Sequence, residues 1–190
     1  MNEKAILIHG WEGSPEEGWR PWLKKELEKE GFEVIVPGMP NSANPSMNEW
    51  LDYLREIAGN PNEKLYFVGH SLGCIAILRY LESLGPNQKV AGAVLVAGFT
   101  SNLGYEQLES FFQTKIDWIK IKSHCKGFTA IHSNNDPYVS LHYADFFKDN
   151  LEAEIIIEHD MKHFSGGDGI NELPPALRAI LKLKNENASA

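Results

Sequence analysis

Lys64-Leu65-Tyr66-Phe67-Val68-Gly69-His70-Ser71-Leu72-Gly73-Cys74-Ile75-Ala76 is the stretch from which the rest of the chain can be read. Its first half is a short, nearly continuous apolar run with no alternation, the pattern of a strand buried on both faces. Its second half opens a helical pattern over residues 72–84. At their junction Gly69-His70-Ser71-Leu72-Gly73 matches G-x-S-x-G. In a strand-turn-helix setting that pentapeptide predicts a sharp turn, with the serine in a strained backbone conformation and its hydroxyl exposed at the carboxyl end of the sheet. The two glycines fit because a Cβ at either position would collide with neighbouring backbone.

Similar apolar runs bounded by turn residues occur at residues 4–9, 33–37, 64–70, 90–97, 128–133 and 154–158. Between them lie helical patterns at 19–30, 47–58, 72–84, 105–121, 141–151 and 174–183, each with apolar residues at three- and four-residue spacing. Parallel strands need long crossovers that usually take a helix, so this alternation predicts one α/β domain. The expected architecture is a mostly parallel six-stranded sheet with helices on both faces. The domain is expected to span residues 1–184, with residues 185–190 as a frayed tail.

Composition narrows the function classes. With 18 Lys and Arg against 26 Asp and Glu, the formal charge is −8, and no basic cluster offers a footprint for nucleic acid. The start Met1-Asn2-Glu3-Lys4-Ala5-Ile6-Leu7-Ile8 lacks a basic leader followed by a long apolar core, and no apolar run is long enough for a bilayer. A cytoplasmic protein with no nucleic-acid or membrane partner is therefore expected. Two cysteines, Cys74 and Cys125, are too few for a disulfide scaffold and read as free thiols.

A serine hydroxyl attacks an acyl carbon only with a base in reach and a third group fixing that base's tautomer. Asp136 follows the expected strand at 128–133 directly, in Asn134-Asn135-Asp136-Pro137, and is the best acid. Asp145 and Asp149 fall inside a helical pattern, and Asp160 lies too close to the last strand. Among the seven histidines, His163 sits in the loop after the last strand, which returns it to the sheet edge that presents Ser71. The other histidines fall at strand ends, within a strand or beside other elements, with His159 the nearest competitor. A metal reading of His159, Asp160 and His163 lacks a fourth ligand and the H-E-x-x-H pattern, so no metal or other cofactor is expected.

The oxyanion of an acyl-transfer intermediate needs backbone donors. Leu72, directly after the serine, supplies one, and Trp11, in the loop after the first strand, is assigned the other. Trp11, Phe99, Trp118 and Phe164 are the large apolar residues expected near this edge, the last three as substrate-binding residues. No segment is long enough for a separate cap, since 99–125 already contains a crossover helix pattern.

With these residues placed, the chain resembles the small serine hydrolases of the retinoblastoma-binding protein 9 type, including their bacterial relatives. The likeness runs from Trp22-Leu23-Lys24-Lys25-Glu26-Leu27 through Met39-Pro40 and Gly69-His70-Ser71-Leu72-Gly73. It continues in Val94-Leu95-Val96-Ala97-Gly98-Phe99-Thr100-Ser101-Asn102-Leu103-Gly104, Asn135-Asp136-Pro137 and His163-Phe164. The resemblance implies an α/β-hydrolase core without a large cap domain, and carries over Ser71, Asp136 and His163. The first loop departs from the family's glycine-rich form, reading His9-Gly10-Trp11-Glu12-Gly13, and no L-x-C-x-E segment occurs, so retinoblastoma-protein binding is not implied.

The expected activity is hydrolysis of carboxyl esters or small amides through an acyl-enzyme on Ser71. The rival is a hydrolase-fold protein of weak or no activity that acts as a binding partner. A nucleotide-binding reading fails because no G-x-G-x-x-G follows the first strand and no G-x-x-x-x-G-K-[ST] occurs.

Overall fold

The computed structural model describes residues 2–189. Met1 and Ala190, which begin the expected domain and end the expected tail, lie outside them. Strands β1 (Lys4–Ile8), β2 (Glu33–Ile35), β3 (Leu65–His70), β4 (Gly92–Val96), β5 (Phe128–Ser133) and β6 (Glu154–Glu158) form one sheet of order β2-β1-β3-β4-β5-β6. Every pairing is parallel. From β1 the chain first adds β2 on one side, then builds outward through β3 to β6 on the other. The topological switch therefore falls between β1 and β3, where a crevice opens beyond the strands' carboxyl ends.

Because successive strand residues face opposite sides, each strand feeds two cores. Ile6 and Ile8 of β1, with Phe67 and Leu95, pack under α2 (Met47–Ala58) and α3 (Leu72–Glu82) through Trp50, Leu54, Ile75 and Leu78. Ala5 and Leu7, with Tyr66, Val68 and Val94, pack under α1 (Arg20–Lys29) and α6 (Pro174–Ala188) through Leu23, Leu27, Ala176 and Ile180. Burial on both sides explains why β3 and β4 read as unbroken apolar runs and why α3 is buried along nearly its whole length.

One expectation is corrected. The single helix expected over 105–121 is a 3₁₀ segment, Glu106–Phe111, an irregular stretch, and the short α4 (Trp118–Ser123). Buried Arg79 of α3 draws the chain off the helical path: its guanidinium donates to the carbonyls of Phe111 (2.9 Å), Thr114 (2.5 Å) and Lys115 (3.3 Å) and pairs with Glu82. Within the 185–190 segment, residues 185–188 form the last turn of α6, which runs to Ala188, and the Asn187 side-chain amide donates to the Ala91 carbonyl at 3.0 Å. After β5 the chain enters α5 (His142–Leu151), and among the described residues no helix is long and apolar enough to cross a membrane.

Candidate active site

Ser71 closes the turn between β3 and α3 with φ 54° and ψ −119°, a conformation that costs on the order of 1–3 kcal/mol for a residue with a side chain. Neighbouring structure holds it there. The Ser71 amide donates to the Val96 carbonyl at 2.9 Å, and its own carbonyl accepts from the Cys74 amide at 2.9 Å. Both glycines of the motif are required sterically. A Cβ on Gly73 would stand 2.5 Å from the Ile8 carbonyl oxygen, and one on Gly69 would stand 2.7 Å from the Cys74 nitrogen. Gly10, after β1, passes so close that its Cβ would lie 2.9 Å from that of Ser71.

The loops after β5 and β6 bring Asp136 and His163 to this turn. His163 Nε2 lies 3.0 Å from Ser71 Oγ, and His163 Nδ1 lies 2.8 Å from Asp136 Oδ2. A carboxylate only accepts, so Nδ1–H donates to Asp136 and the Nε2 lone pair faces the serine hydroxyl. The Asp136 side chain is 2% exposed, and its other oxygen accepts from the amides of Tyr138 (2.9 Å) and Val139 (3.0 Å). The turn after Asp136 thus orients the carboxylate that orients the ring.

The loop that carries His163 is itself strained and stitched in place. Asp160, Lys162 and Phe164 all have positive φ. The end of β5 and the loop after it take up three of the His163 loop's amides: Asn134 Oδ1 accepts from Asp160 N–H, Ser133 Oγ from Met161 N–H and Asn135 Oδ1 from Lys162 N–H, while the Phe164 amide donates to the Met161 carbonyl. From below, His70 Nε2–H donates to the His163 carbonyl at 2.7 Å and the Trp19 indole to the Phe164 carbonyl at 3.0 Å. Burial, reinforced by the adjacent His163, pushes the His70 pKa well below the ordinary histidine value, so the ring stays a neutral donor. Asp168 Oδ2 accepts from the amides of His163 and Ser165 and from the Ser165 hydroxyl. Burial alone would raise the Asp168 carboxyl, but these bonds and Lys162 outweigh it and hold its pKa below the usual carboxylate range.

Of the residues assigned to the oxyanion, Leu72 follows Ser71 directly and Trp11 lines a cavity with Ser71. Leu72 is the first residue of α3, where an N–H has no intrahelical acceptor. Trp11 follows Gly10, and its indole donates to the Ala43 carbonyl at 3.0 Å, which anchors the loop. His9 braces the same loop: its Nδ1–H donates to the Gly10 carbonyl and its Nε2 accepts from the Met39 amide. Burial lowers the His9 pKa, in keeping with a ring that must accept.

A cavity of about 280 Å³ opens over Ser71 and His163, walled by Trp11, Phe99, Leu103, Tyr105, Leu108 and Tyr138, with Glu12 at the rim. Of the three expected substrate-binding residues only Phe99 lines it. Trp118 belongs to a separate surface groove with Thr114 and Phe146 and packs edge-on against Phe147, because it opens α4 on the far side of the 100–117 segment. Phe164 is fully buried in the core beneath α1 and α6, its positive φ turning the ring inward while its carbonyl meets Trp19. His159 pairs with Asn134 and Asp160 with Asn135, away from the serine. The sequence reading missed Glu12, Leu103, Tyr105, Leu108 and Tyr138 as lining residues: Glu12, Leu103 and Tyr138 lie on irregular segments, and Tyr105 and Leu108 fell within the pattern read as a crossover helix. It also missed the bracing roles of His70 and Asp168; only the place of His70 inside the turn motif signalled one.

The family model for serine hydrolases matches residues 5–182, and the chain belongs to that family. It is 34% identical to the putative hydrolase YdeN of Bacillus subtilis over 92% of each chain, and 30% identical to the serine hydrolase RBBP9 of Rattus norvegicus over 94% of this chain and 95% of that one. The crystal structure of the B. subtilis ydeN gene product superposes with a TM-score of 0.91 at 32% identity, covering 96% of this chain and 99% of that one. Est1E from Butyrivibrio proteoclasticus shares the fold alone, with a TM-score of 0.76 at 12% identity over 98% and 88% of the two chains. The architecture is thus a single-domain α/β-hydrolase fold, as expected.

Proposed function

We propose that the chain hydrolyses carboxyl esters, or small amides, through an acyl-enzyme on Ser71. The observation that carries this reading is the row Ser71 Oγ, His163, Asp136, with contacts of 3.0 and 2.8 Å and the Nε2 lone pair aimed at the hydroxyl. In the first half-reaction Ser71 Oγ attacks the acyl carbon while His163 Nε2 takes its proton, and Asp136 stabilises the resulting imidazolium. The amides of Leu72 and Trp11 hold the tetrahedral oxyanion. Collapse expels the alcohol or amine with the proton from His163, and water, deprotonated by the same nitrogen, then releases the acid and restores Ser71. No step calls on a metal or cofactor. The buried, unpaired Cys74 and Cys125 favour a reducing compartment, and we place the activity in the cytoplasm.

Turnover of p-nitrophenyl acetate by wild type, Ser71→Ala and His163→Ala tests the assignment. Each variant should lose on the order of 10³-fold or more in kcat with an unchanged circular dichroism spectrum. Activity within about tenfold of wild type in either would sink it, and a folded wild type with no turnover would favour the binding-protein rival.

A further inference from the structure

A second cavity, of about 90 Å³, adjoins the catalytic pair. Its lining has only Trp11, Ser71 and His163 in common with the larger cavity, so these three residues stand between the two. The larger chamber is walled mostly by the segment that follows β4. The smaller is closed by Gly10 and Gly13 after β1, by Glu17 and Arg20 at the start of α1, and by His70 and Ser165.

Two buried side chains of the smaller chamber keep hydrogen-bonding capacity that the protein does not use. The Arg20 side chain is 3% exposed. Its Nε and Nη2 donate to the Ser14 carbonyl at 3.1 and 2.9 Å, and Nη2 stands 3.6 Å from the Glu17 carboxylate, but among the described residues nothing accepts from Nη1. His70, also buried, spends its Nε2–H on the His163 carbonyl. Burial keeps that ring neutral, so Nδ1 carries a lone pair, and among the described residues nothing donates to it. Buried polar groups are seldom left so. An unspent donor and an unspent acceptor on one small polar cavity are what a buried water requires, since such a water makes two to four hydrogen bonds. Glu17 beside Arg20 balances its charge, which favours water over an anion. At about 30 Å³ per molecule the chamber has room for roughly three waters.

The chamber opens on Ser71 and His163, the two groups that deacylation uses. We infer that it supplies the water that hydrolyses the acyl-enzyme, and that Arg20 is the positioning residue that holds this water. An acyl group in the 280 Å³ cavity displaces water there, whereas the smaller chamber keeps its own. A water oxygen attacks the acyl carbon from this side as His163 Nε2 takes its proton. The bond from carbon to Ser71 Oγ then breaks, Oγ takes the proton from Nε2, and the acid leaves. Arg20 acts only once the acyl-enzyme exists, so acylation does not depend on it. The inference rests on the reading of Ser71 as the nucleophile.

The fate of the acyl-enzyme tests it. With p-nitrophenyl acetate in water containing butanol, acetate and butyl acetate arise from one intermediate, and butanol is too bulky to share the smaller chamber. In Arg20→Met the ratio of acetate to butyl acetate should fall at least about fivefold, while kcat/KM, which reports acylation, stays within about twofold of wild type. A merely structural role would lower kcat/KM and leave the ratio unchanged, because losses before the intermediate cancel in it; an unchanged ratio overturns the inference. If Arg20→Met does not fold, a crystal structure of the wild-type ethylphosphonate adduct decides. A water on Arg20 Nη1 beside the adduct is expected, and a chamber with no water on Arg20 or His70 overturns the inference. A folded wild type that releases no p-nitrophenol overturns the nucleophile assignment, and this inference with it.

Discussion

Replacing Asp136 by Asn changes one atom in the row and should cost almost all of the activity with little of the stability. The magnitude follows from who donates to whom. The Tyr138 and Val139 amides, 2.9 and 3.0 Å from Oδ1, require an acceptor there, so the new side chain must place its oxygen against them and its NH₂ against His163 Nδ1. The opposite flip would aim the NH₂ at two N–H groups, and the part-buried Val139 donor would be left unsatisfied at about 1–3 kcal/mol. With the NH₂ facing it, Nδ1 must accept, the ring proton moves to Nε2, and Nε2 can no longer take the proton of Ser71. The same tautomer error elsewhere lowers kcat on the order of 10⁴, which corresponds to about 5.5 kcal/mol of lost transition-state stabilisation. The fold keeps the two Oδ1 bonds and should lose no more than about 1 kcal/mol, or roughly 2–4 °C in Tm for a chain of this size. Steady-state turnover of a short-chain p-nitrophenyl ester and a thermal melt check both halves. Activity within about tenfold of wild type would refute the role of Asp136, and a collapsed Tm would show that the side chain serves the fold instead.

Three further outcomes are expected. His9, His70 and His132 are buried, and burial lowers the pKa of each below its unfolded value. The unfolded chain therefore binds more protons, so stability is full above about pH 7 and falls as pH drops through about 6.5, before carboxylates contribute; a Tm that stays flat or rises between about pH 7.5 and 5.5 contradicts this. Burial raises the pKa of the Cys74 thiol, which donates to the Val96 carbonyl, and pushes that of Cys125 up to about 12. Native protein at about pH 8 should resist iodoacetamide and keep its turnover, and inactivation by alkylation would place a thiol in the chemistry. Because the cavity is small, acyl chains of about eight carbons should not collect the ~0.8 kcal/mol per buried CH₂ that a deep channel would give. Esters of about two to four carbons should then have the higher kcat/KM, and a steady climb toward long chains would reveal a channel.

The parts legible in the sequence are those fixed by periodicity and by strand ends. The 47–58 pattern is α2 (Met47–Ala58) to the residue, since Trp50, Leu51 and Leu54 keep strict helical spacing on one buried face. Ser71, Asp136 and His163 were found together because each sits just beyond a strand, and parallel strands deliver all such loops to one edge. The pattern over 105–121 misled because Leu108, Phe111 and Ile116 are apolar at helical spacing for another reason. They pack beneath a segment whose carbonyls Arg79 captures from a different helix. Trp118 and Phe164 show the same limit: an aromatic residue near a sheet edge can face a groove, a core or a pocket, and only tertiary packing decides. Tyr138 and Glu12 reach the cavity from irregular segments, whose paths leave no mark in composition or period.

The central claim is that Ser71 is an activated nucleophile, and reaction with a fluorophosphonate followed by peptide mass spectrometry tests it most directly. The account predicts one adduct, on Ser71 in wild type, absent in Ser71→Ala and formed at least about a hundredfold more slowly in His163→Ala. No adduct on folded wild-type protein, an adduct on another residue, or an undiminished rate without His163 would contradict it.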